Sequence, residues 1–599
     1  MMGYIEKNYK KLVIITGCLF FSYFLFLSWI YYKERVLSFD PAFFAFQIID
    51  TQNYSIALGR WGAIFSQILP LIALKSNCSM ETFLRLFSIA PIINYIIVFL
   101  IIIALKNYRA AIALMLVLCL GFRHAFYYTT AELYFGLALS VLFWAIIAPE
   151  KEYDTAIKKW LALLFSIVLI YIMSYLHQLT VFAIVFILIW EFISGNKYKD
   201  VRLWMIFAAA SIWFYIRIFV LTNTEYESEK IPSLSVFIEQ LPFIRYSPSG
   251  MYFKHYAKYE IWPLFLVFFI SWIYLFKMKK WLNVLFLPAF SIAFLVLILI
   301  TYYKGESALM YENYYTVFGV FAGIAFMYVL YNNVSEKWRL LWIIPLLVIS
   351  VHGIHNAHAS FTKRVDYLDR LVSEGRKHEK KKFLVSSQNF PWQYGWVHWA
   401  LPFETTLYSA IAGADSVVTC FVTPEIDKYD SLINKENVFL GPEWAVTWFE
   451  SHHLKQNYFR FPSSGYAKLN TSQADSAFHE SDFDKGNILI KPLQDTYYSD
   501  ADSFIVAEIE ITNLLYKTFA SIPKGNNPVF LSYHIEQGGK TVVFDGKRTP
   551  LEADLKGKII QSIMVTLPEK KGDYTVEVDL VTENKRWWEI RSKFKLIVR

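Results

Sequence analysis

Charge is scarce in this sequence. Asp, Glu, Lys and Arg together make up 18% of the 599 residues, against about 25% in ordinary soluble domains. That scarcity, set beside an aromatic share of 19%, excludes a disordered chain and argues against a wholly soluble one. Glycine is also sparse, at 24 residues, which disfavours a Gly-rich phosphate-cradling architecture. The four cysteines, Cys18, Cys78, Cys119 and Cys420, form no CxxC pair, so there is no zinc, redox or disulfide-framework signal. A P-loop, a dinucleotide fingerprint and an HExxH helix are all missing. No nucleic-acid motif is visible, and the excess of basic residues follows the loops between apolar runs rather than a groove.

Apolar surface is what the chain has in quantity: 56% of its residues are hydrophobic and its mean hydropathy is +0.35. Helices that cross a bilayer need about 17–25 apolar residues. Runs at or near that length lie at 11–32, 84–105, 109–122, 133–148, 160–175, 178–194, 203–221, 261–276, 282–302, 314–331 and 338–355, so about eleven spans are expected. The first follows Lys7, Lys10 and Lys11 and lacks a small-residue cleavage site before Lys33, so it reads as an uncleaved helix. Trp61–Leu74 is shorter and contains Pro70; it reads as an interfacial or re-entrant helix.

Loop charge tests this arrangement. With the N-terminus inside, the inner loops carry Lys106 and Arg109; Lys151, Lys158 and Lys159; Lys197, Lys199 and Arg202; Lys277, Lys279 and Lys280; and Lys337 and Arg339. Every inner loop is basic, as the positive-inside rule requires. Counting Trp61–Leu74 as a span would invert every later loop. An odd number of spans sends the C-terminal residues to the outer face. The Lys-, Asn-, Phe- and Tyr-rich composition points to a bacterial plasma membrane, with a cytoplasmic N-terminus and a periplasmic or exterior C-terminal region.

The ionisable residues of the outer loops then share one face. The first loop, from Tyr31 to Phe83, holds Asp40, Asp50 and Arg60. Later loops hold Arg123 and His124, Glu132, His177, and Lys254 and Lys258. Each has an ordinary structural reading. Asp40 before Pro41 makes a good N-cap with proline at the first helical position. Glu132 at a helix start complements the helix dipole. Arg123, Lys254 and Lys258 suit interfacial snorkelling, and His177 an interfacial position. Taken together, carboxylates and cations facing a membrane-level cavity suit a phosphate-bearing amphiphile, with a carboxylate as general base on an acceptor hydroxyl.

The layout resembles a known class. One span is followed by a large outer loop with an early Asp, then by an Arg-Trp segment running into Ile68-Leu69-Pro70-Leu71-Ile72-Ala73-Leu74, then by a multi-span bundle and an outer C-terminal region. This resembles the GT-C membrane glycosyltransferases, which use polyprenyl-phosphate-linked sugars. The resemblance covers the layout of residues 1–355. It implies a catalytic base in the first outer loop, with Asp40 the best positional match and Asp50 the second. It also implies a phosphate clamp drawn from Arg60, Arg123, Lys254 and Lys258, with His124, Glu132 and His177 as further substrate contacts. The implied partners are a polyprenyl-phosphate sugar, a glycan or lipid acceptor and the membrane. No cofactor is fixed, and a divalent metal is the one left open. Many members carry a paired acidic motif in this loop; here Asp40 stands alone between Phe39 and Pro41.

Beyond the spans, residues 356–382 read as a basic helical exit containing Arg364, Arg370 and Arg376. Strands are expected at Phe383–Ser386 and Ser416–Val422. The aromatic stretch Pro391–Trp399 suits either sugar stacking or packing against the membrane. From about residue 501 the pattern changes to period-2 alternation with turns at Gly538-Gly539, Asp545-Gly546 and Lys571-Gly572-Asp573, which predicts an antiparallel β-sandwich. Leu531-Ser532-Tyr533-His534, Phe544–Thr549, Lys571–Tyr574, Asp579-Leu580-Val581 and Trp587-Trp588 resemble a sandwich module attached to polysaccharide-biosynthesis proteins. That resemblance implies an accessory role such as glycan contact.

The expected architecture is a polytopic α-helical membrane domain over 1–355, a mixed outer-face linker domain over 356–500 and a β-sandwich over 501–599. The expected function is transfer of a sugar from a polyprenyl-phosphate donor to a surface glycan or glycolipid. The alternatives are a glycan polymerase or ligase, which would carry its site in a large late loop, and a non-enzymatic lipid or glycan transporter, which would carry polar residues deep in its spans.

Overall fold

A computed structural model describes residues 2–130, 132–195, 197–217, 233–302, 308–386, 399–423, 426–442, 448–469, 488–499, 504–514, 529–551, 555, 557–582 and 586–599. The aromatic stretch Pro391–His398 and the end of the 203–221 run lie outside the described residues. The chain is mostly helical, with a β-rich C-terminal region.

Among the described residues, six helices are long and apolar enough to cross a membrane: Asn8–Ile30, Met80–Ala104, Ala156–Ser174, Trp281–Thr301, Glu312–Asn333 and the long element Glu336–Arg376. A bent pair, Tyr252–Tyr259 with Trp262–Lys277, raises the number to seven. The eleven expected spans are therefore not all of spanning length. Three of them fall on shorter helices, Tyr108–Leu120, Glu132–Ile147 and Thr180–Ser194, and a fourth on Val201–Tyr215, whose expected run continues beyond the described residues. At 1.5 Å per residue, helices of this size reach about 20–24 Å, short of an apolar layer of about 30 Å. Two of the four are interior helices. Ala110–Leu120 is buried without interruption, and nearly all of Glu132–Ile147 is buried with it. A helix apolar on every side belongs in a core, so hydropathy alone cannot separate these helices from spans.

A second core is built from distant parts of the chain. Tyr32, Ala45, Ile49, Phe83 and Phe87 pack with Leu368, Phe383, Leu407, Val422 and Phe459. The strand Lys382–Ser386 lies between Thr419–Thr423 and Ala467–Leu469, parallel to both. Residues 32–87 and 367–469 thus form one unit that straddles the expected boundary at 355.

The C-terminal strands form two sheets around a third core. In the smaller sheet, Phe504–Asn513 pairs antiparallel with Ile488–Pro492 and Lys558–Thr566. In the larger, Val529–Gln537, Gly572–Thr582 and Ser592–Val598 are antiparallel neighbours. The edge strand Thr496–Ser499 runs parallel to Ser592–Val598, so the larger sheet is mixed rather than purely antiparallel. Both sheets also recruit residues before 501.

Candidate functional site

The first loop is fixed by a buried arginine. Arg35 sits in the short helix Tyr32–Val36. Its Nε donates to Ser88 Oγ at 2.9 Å, its Nη2 to the Ser88 carbonyl at 3.1 Å and its Nη1 to the Phe126 carbonyl. Thr129 Oγ1 donates back to the Arg35 carbonyl at 3.2 Å. These bonds join the first loop to the 123–130 segment. Ser38 then takes an extended conformation and the helix Phe39–Thr51 begins.

Asp40 therefore lies in the first helical turn and is not its N-cap. Ser38 occupies the cap position and makes no side-chain cap bond. The Asp40 carboxylate has another partner: the Tyr128 hydroxyl donates to its Oδ2. Asp40 is half-buried and Tyr128 buried. Burial pushes the Asp40 carboxyl above its usual range, while the Tyr128 hydrogen bond and the Arg60 charge pull it back. Burial and the Asp40 charge raise the Tyr128 phenol well above its ordinary value, so it remains the donor.

Arg60 reaches the same place from the other end of the loop. Its Nη1 lies 3.5 Å from Glu132 Oε2, with side-chain exposures of 21% and 11%. The turn carrying it is pressed against the loop that bears His177. Gly62 N donates to the Tyr175 carbonyl at 3.3 Å, and a Cβ on Gly62 would meet the Leu176 side chain at 2.3 Å. Burial, and then the Arg60 charge, hold His177 well below its normal value, so it is neutral at physiological pH; its Nδ1 accepts the Leu179 N–H at 3.1 Å. A small cleft adjoins this group, lined by Phe44, Gln67, Thr129, Thr130 and Glu132 among others. Phe44 is one helical turn beyond Asp40, and Thr129 follows Tyr128.

Asp40, Arg60, Glu132 and His177 are thus brought into one neighbourhood. The other expected site residues are engaged elsewhere. The Arg123 guanidinium is buried, its Nη1 donating to the carbonyls of Phe122, Cys119 and Ser350 at 2.6, 3.4 and 3.3 Å. His124 Nδ1 lies 3.2 Å from Glu312 Oε2. Asp50 Oδ1 accepts the backbone N–H of Lys455 at 3.3 Å, tying the first loop to the C-terminal part of its own core. Lys254 and Lys258 are exposed on the separate helix Pro248–Tyr259, with the Lys258 ammonium 4.7 Å from the Tyr259 ring centroid.

The donor set at Asp40 does not fit a divalent metal. One carboxylate takes a phenol and the next is paired with Arg60, which already supplies positive charge. Among the described residues the one converging trio of metal-ligating side chains is Glu450, His452 and His453, all exposed, and it includes neither Asp40 nor Glu132.

Two parts of the site escaped sequence reasoning. Tyr128 is one of 40 tyrosines, and nothing local marks it. Glu404 and Arg364 meet the residue before Asp40 only through the fold. Comparison with protein-family models, with curated proteins and with solved structures finds no match to this chain.

Proposed function

We propose that this chain is a membrane glycosyltransferase that moves a sugar from a polyprenyl-phosphate donor to a glycan or glycolipid acceptor on the outer face of a bacterial plasma membrane. The observation that carries the reading is the Asp40 carboxylate, held by the Tyr128 hydroxyl, with the Arg60–Glu132 pair close by and a small cleft lined by Glu132 next to them. The six long apolar helices support the membrane setting, and the basic inner loops support the orientation. On this reading the shorter helices complete a bundle of about eleven hydrophobic passages. The C-terminal β-rich region serves as a glycan-contacting accessory.

The chemistry is one displacement. The acceptor oxygen bonds the anomeric carbon as the carbon–oxygen bond to the lipid phosphate breaks. The bond's electron pair leaves with the phosphate, and the acceptor proton passes to Asp40 as general base. Tyr128 occupies one carboxylate oxygen and leaves the other for the hydroxyl. Arg60 stabilises the charge that develops on the phosphate; Glu132 orients Arg60, and neutral His177 adds no competing charge.

The test is a deletion strain complemented with wild type or with Asp40→Asn, with lipid-linked sugars and surface glycans read by mass spectrometry. One sugar is expected to be lost in the deletion, restored by wild type and not by Asp40→Asn at equal expression, since loss of a general base costs about 10²–10⁴-fold. Full rescue by Asp40→Asn would remove Asp40 from the base role. Shortened chains of complete composition would point to a polymerase instead.

A further inference from the structure

Phe39, immediately before Asp40, has a φ of 49°, the left-handed region that disfavours any residue with a Cβ. Its neighbours hold it there. The Phe39 N–H donates to Glu404 Oε1 at 2.6 Å. Arg364 grips the same carboxylate with two bonds, Nε to Oε2 at 3.0 Å and Nη2 to Oε1 at 2.7 Å. The Arg364 guanidinium carbon also lies 4.2 Å from the centroid of the Phe39 ring. All three residues are deeply buried: Phe39 is 6% exposed, Arg364 3% and Glu404 0%. Glu404 comes from the helix Leu401–Ala410 and Arg364 from His358–Arg376, so the anchor reaches the loop from 365 positions along the chain.

A buried ion pair is weak evidence for stability, because an apolar pair of similar volume usually packs as well. An apolar pair cannot accept a backbone N–H. That acceptor is the part of the arrangement that acts on the Phe39 backbone, while the Arg364 guanidinium meets its ring. Strained backbone beside a reacting group is kept where its surroundings over-determine it. We infer that Glu404, oriented by Arg364, is the positioning residue for Asp40: it fixes the Phe39 backbone in its left-handed form and so sets the direction in which the Asp40 carboxylate points toward Tyr128. The inference rests on reading Asp40 as the base, but the geometry it invokes is measurable without sugar transfer.

The experiment uses the full chain in detergent micelles and dicyclohexylcarbodiimide, which modifies protonated carboxyls. Labelling of Asp40 is followed by peptide mass spectrometry across pH, and transfer is read in the complemented strain. The key variant is the apolar pair Arg364→Met with Glu404→Leu, which keeps the packing and removes the acceptor. Its labelling midpoint is expected to fall toward the ordinary carboxylate range as Asp40 leaves its seat, because the loss of burial outweighs the loss of the Tyr128 bond, with transfer falling about tenfold. Phe39→Gly and Phe39→Ala are then added separately. Both empty the same space, but only glycine adopts φ 49° without help. Glycine is expected to restore the midpoint and alanine is not, a difference that a purely structural Glu404 would not produce. An unchanged midpoint in the apolar pair, or equal behaviour of the two Phe39 variants, overturns the inference. If that pair does not fold, Arg364→Leu with Glu404→Met, which likewise offers no carboxylate or carbonyl acceptor to the Phe39 N–H, takes its place with the same expected outcomes. A moved midpoint together with normal transfer by Asp40→Asn keeps the positioning role and rejects the base. An unmoved midpoint together with an inactive Asp40→Asn does the reverse.

Discussion

Two groups of ionisable side chains flank the segment from Phe122 to Glu132, and they use the same residue types to different ends. In the first, Glu312 accepts the backbone N–H groups of Arg123 and Ala125 on Oε1 at 2.5 and 2.9 Å, and that of His124 on Oε2 at 3.1 Å. Arg123 spends its guanidinium on backbone carbonyls. In the second, Asp40 is bonded to a phenol, Glu132 is paired with Arg60, and a cleft runs beside them. A charge spent mainly on backbone groups, as Glu312 is alongside its one contact with the His124 ring, holds a fold together. A charge whose partners are side chains, next to open space, remains available to a substrate. The identity of the residue does not distinguish the two cases; the partner does.

The sharpest way to break the comparison is to treat its two carboxylates alike. Glu312→Gln keeps the shape but turns an amide donor toward backbone N–H groups in a buried site. Leaving such groups unsatisfied costs about 2–4 kcal/mol, so the melting temperature in detergent is expected to drop clearly. Asp40→Asn faces one hydroxyl that can reverse its bond, and its melting is expected to match wild type while transfer is lost. If the two variants melted alike, partner type would not be what separates scaffold from site.

The next test sharpens the site itself through pH. Burial raises the Asp40 carboxyl, and the Tyr128 hydrogen bond lowers it again by a larger amount than Arg60 does. Removing the phenol must therefore push the carboxyl further up. A general base works only when deprotonated, so in Tyr128→Phe the acidic limb of the pH–activity profile moves to higher pH. On that limb, activity at fixed pH is expected to fall about tenfold for each unit of displacement. Arg60→Gln should move the limb in the same direction by less. A limb that stays in place in Tyr128→Phe would detach Tyr128 from the base.

How much of this was legible beforehand follows from the physics of each part. Long apolar runs announce helices, and the strict alternation of Phe504–Asn513 announces a strand. The parallel edge strand Thr496–Ser499 has only four residues, too few for a pattern. Asp40, Arg60, Glu132 and His177 stood out because charge and imidazole are rare in so apolar a chain. Tyr128 did not, because tyrosine is common here. The reading of Asp40 as an N-cap went wrong because Ser38 starts the helix two residues earlier and Phe39 turns left-handed between them. The core shared by residues 32–87 and 367–469 was invisible, since neither segment shows in its own sequence what covers it.

Buried cations extend the comparison to a third case and to the smallest expected effect. Arg35 is buried and its nitrogens reach Ser88 and Phe126. Lys382, at the start of the central strand of the parallel sheet, is fully buried. Its Nζ has no hydrogen-bond partner among the described residues and sits 5.8 Å from the Tyr466 ring centroid. Burial pushes its pKa down to about 8, against a weaker upward pull from Glu436. The unfolded chain holds that proton up to its ordinary value of 10.5, so between about pH 8 and 10.5 the unfolded state binds more protons than the folded one. Stability is then expected to rise with pH across that window. Lys382→Met should remove the rise and stabilise the protein at neutral pH by about 1–2 kcal/mol. Melting curves of the two proteins at pH 7 and pH 10 decide it. A wild type no more stable at pH 10, with no gain from methionine at pH 7, would mean that this ammonium finds compensation where it lies, and that lacking a hydrogen-bonding partner does not by itself make a buried charge costly in this fold.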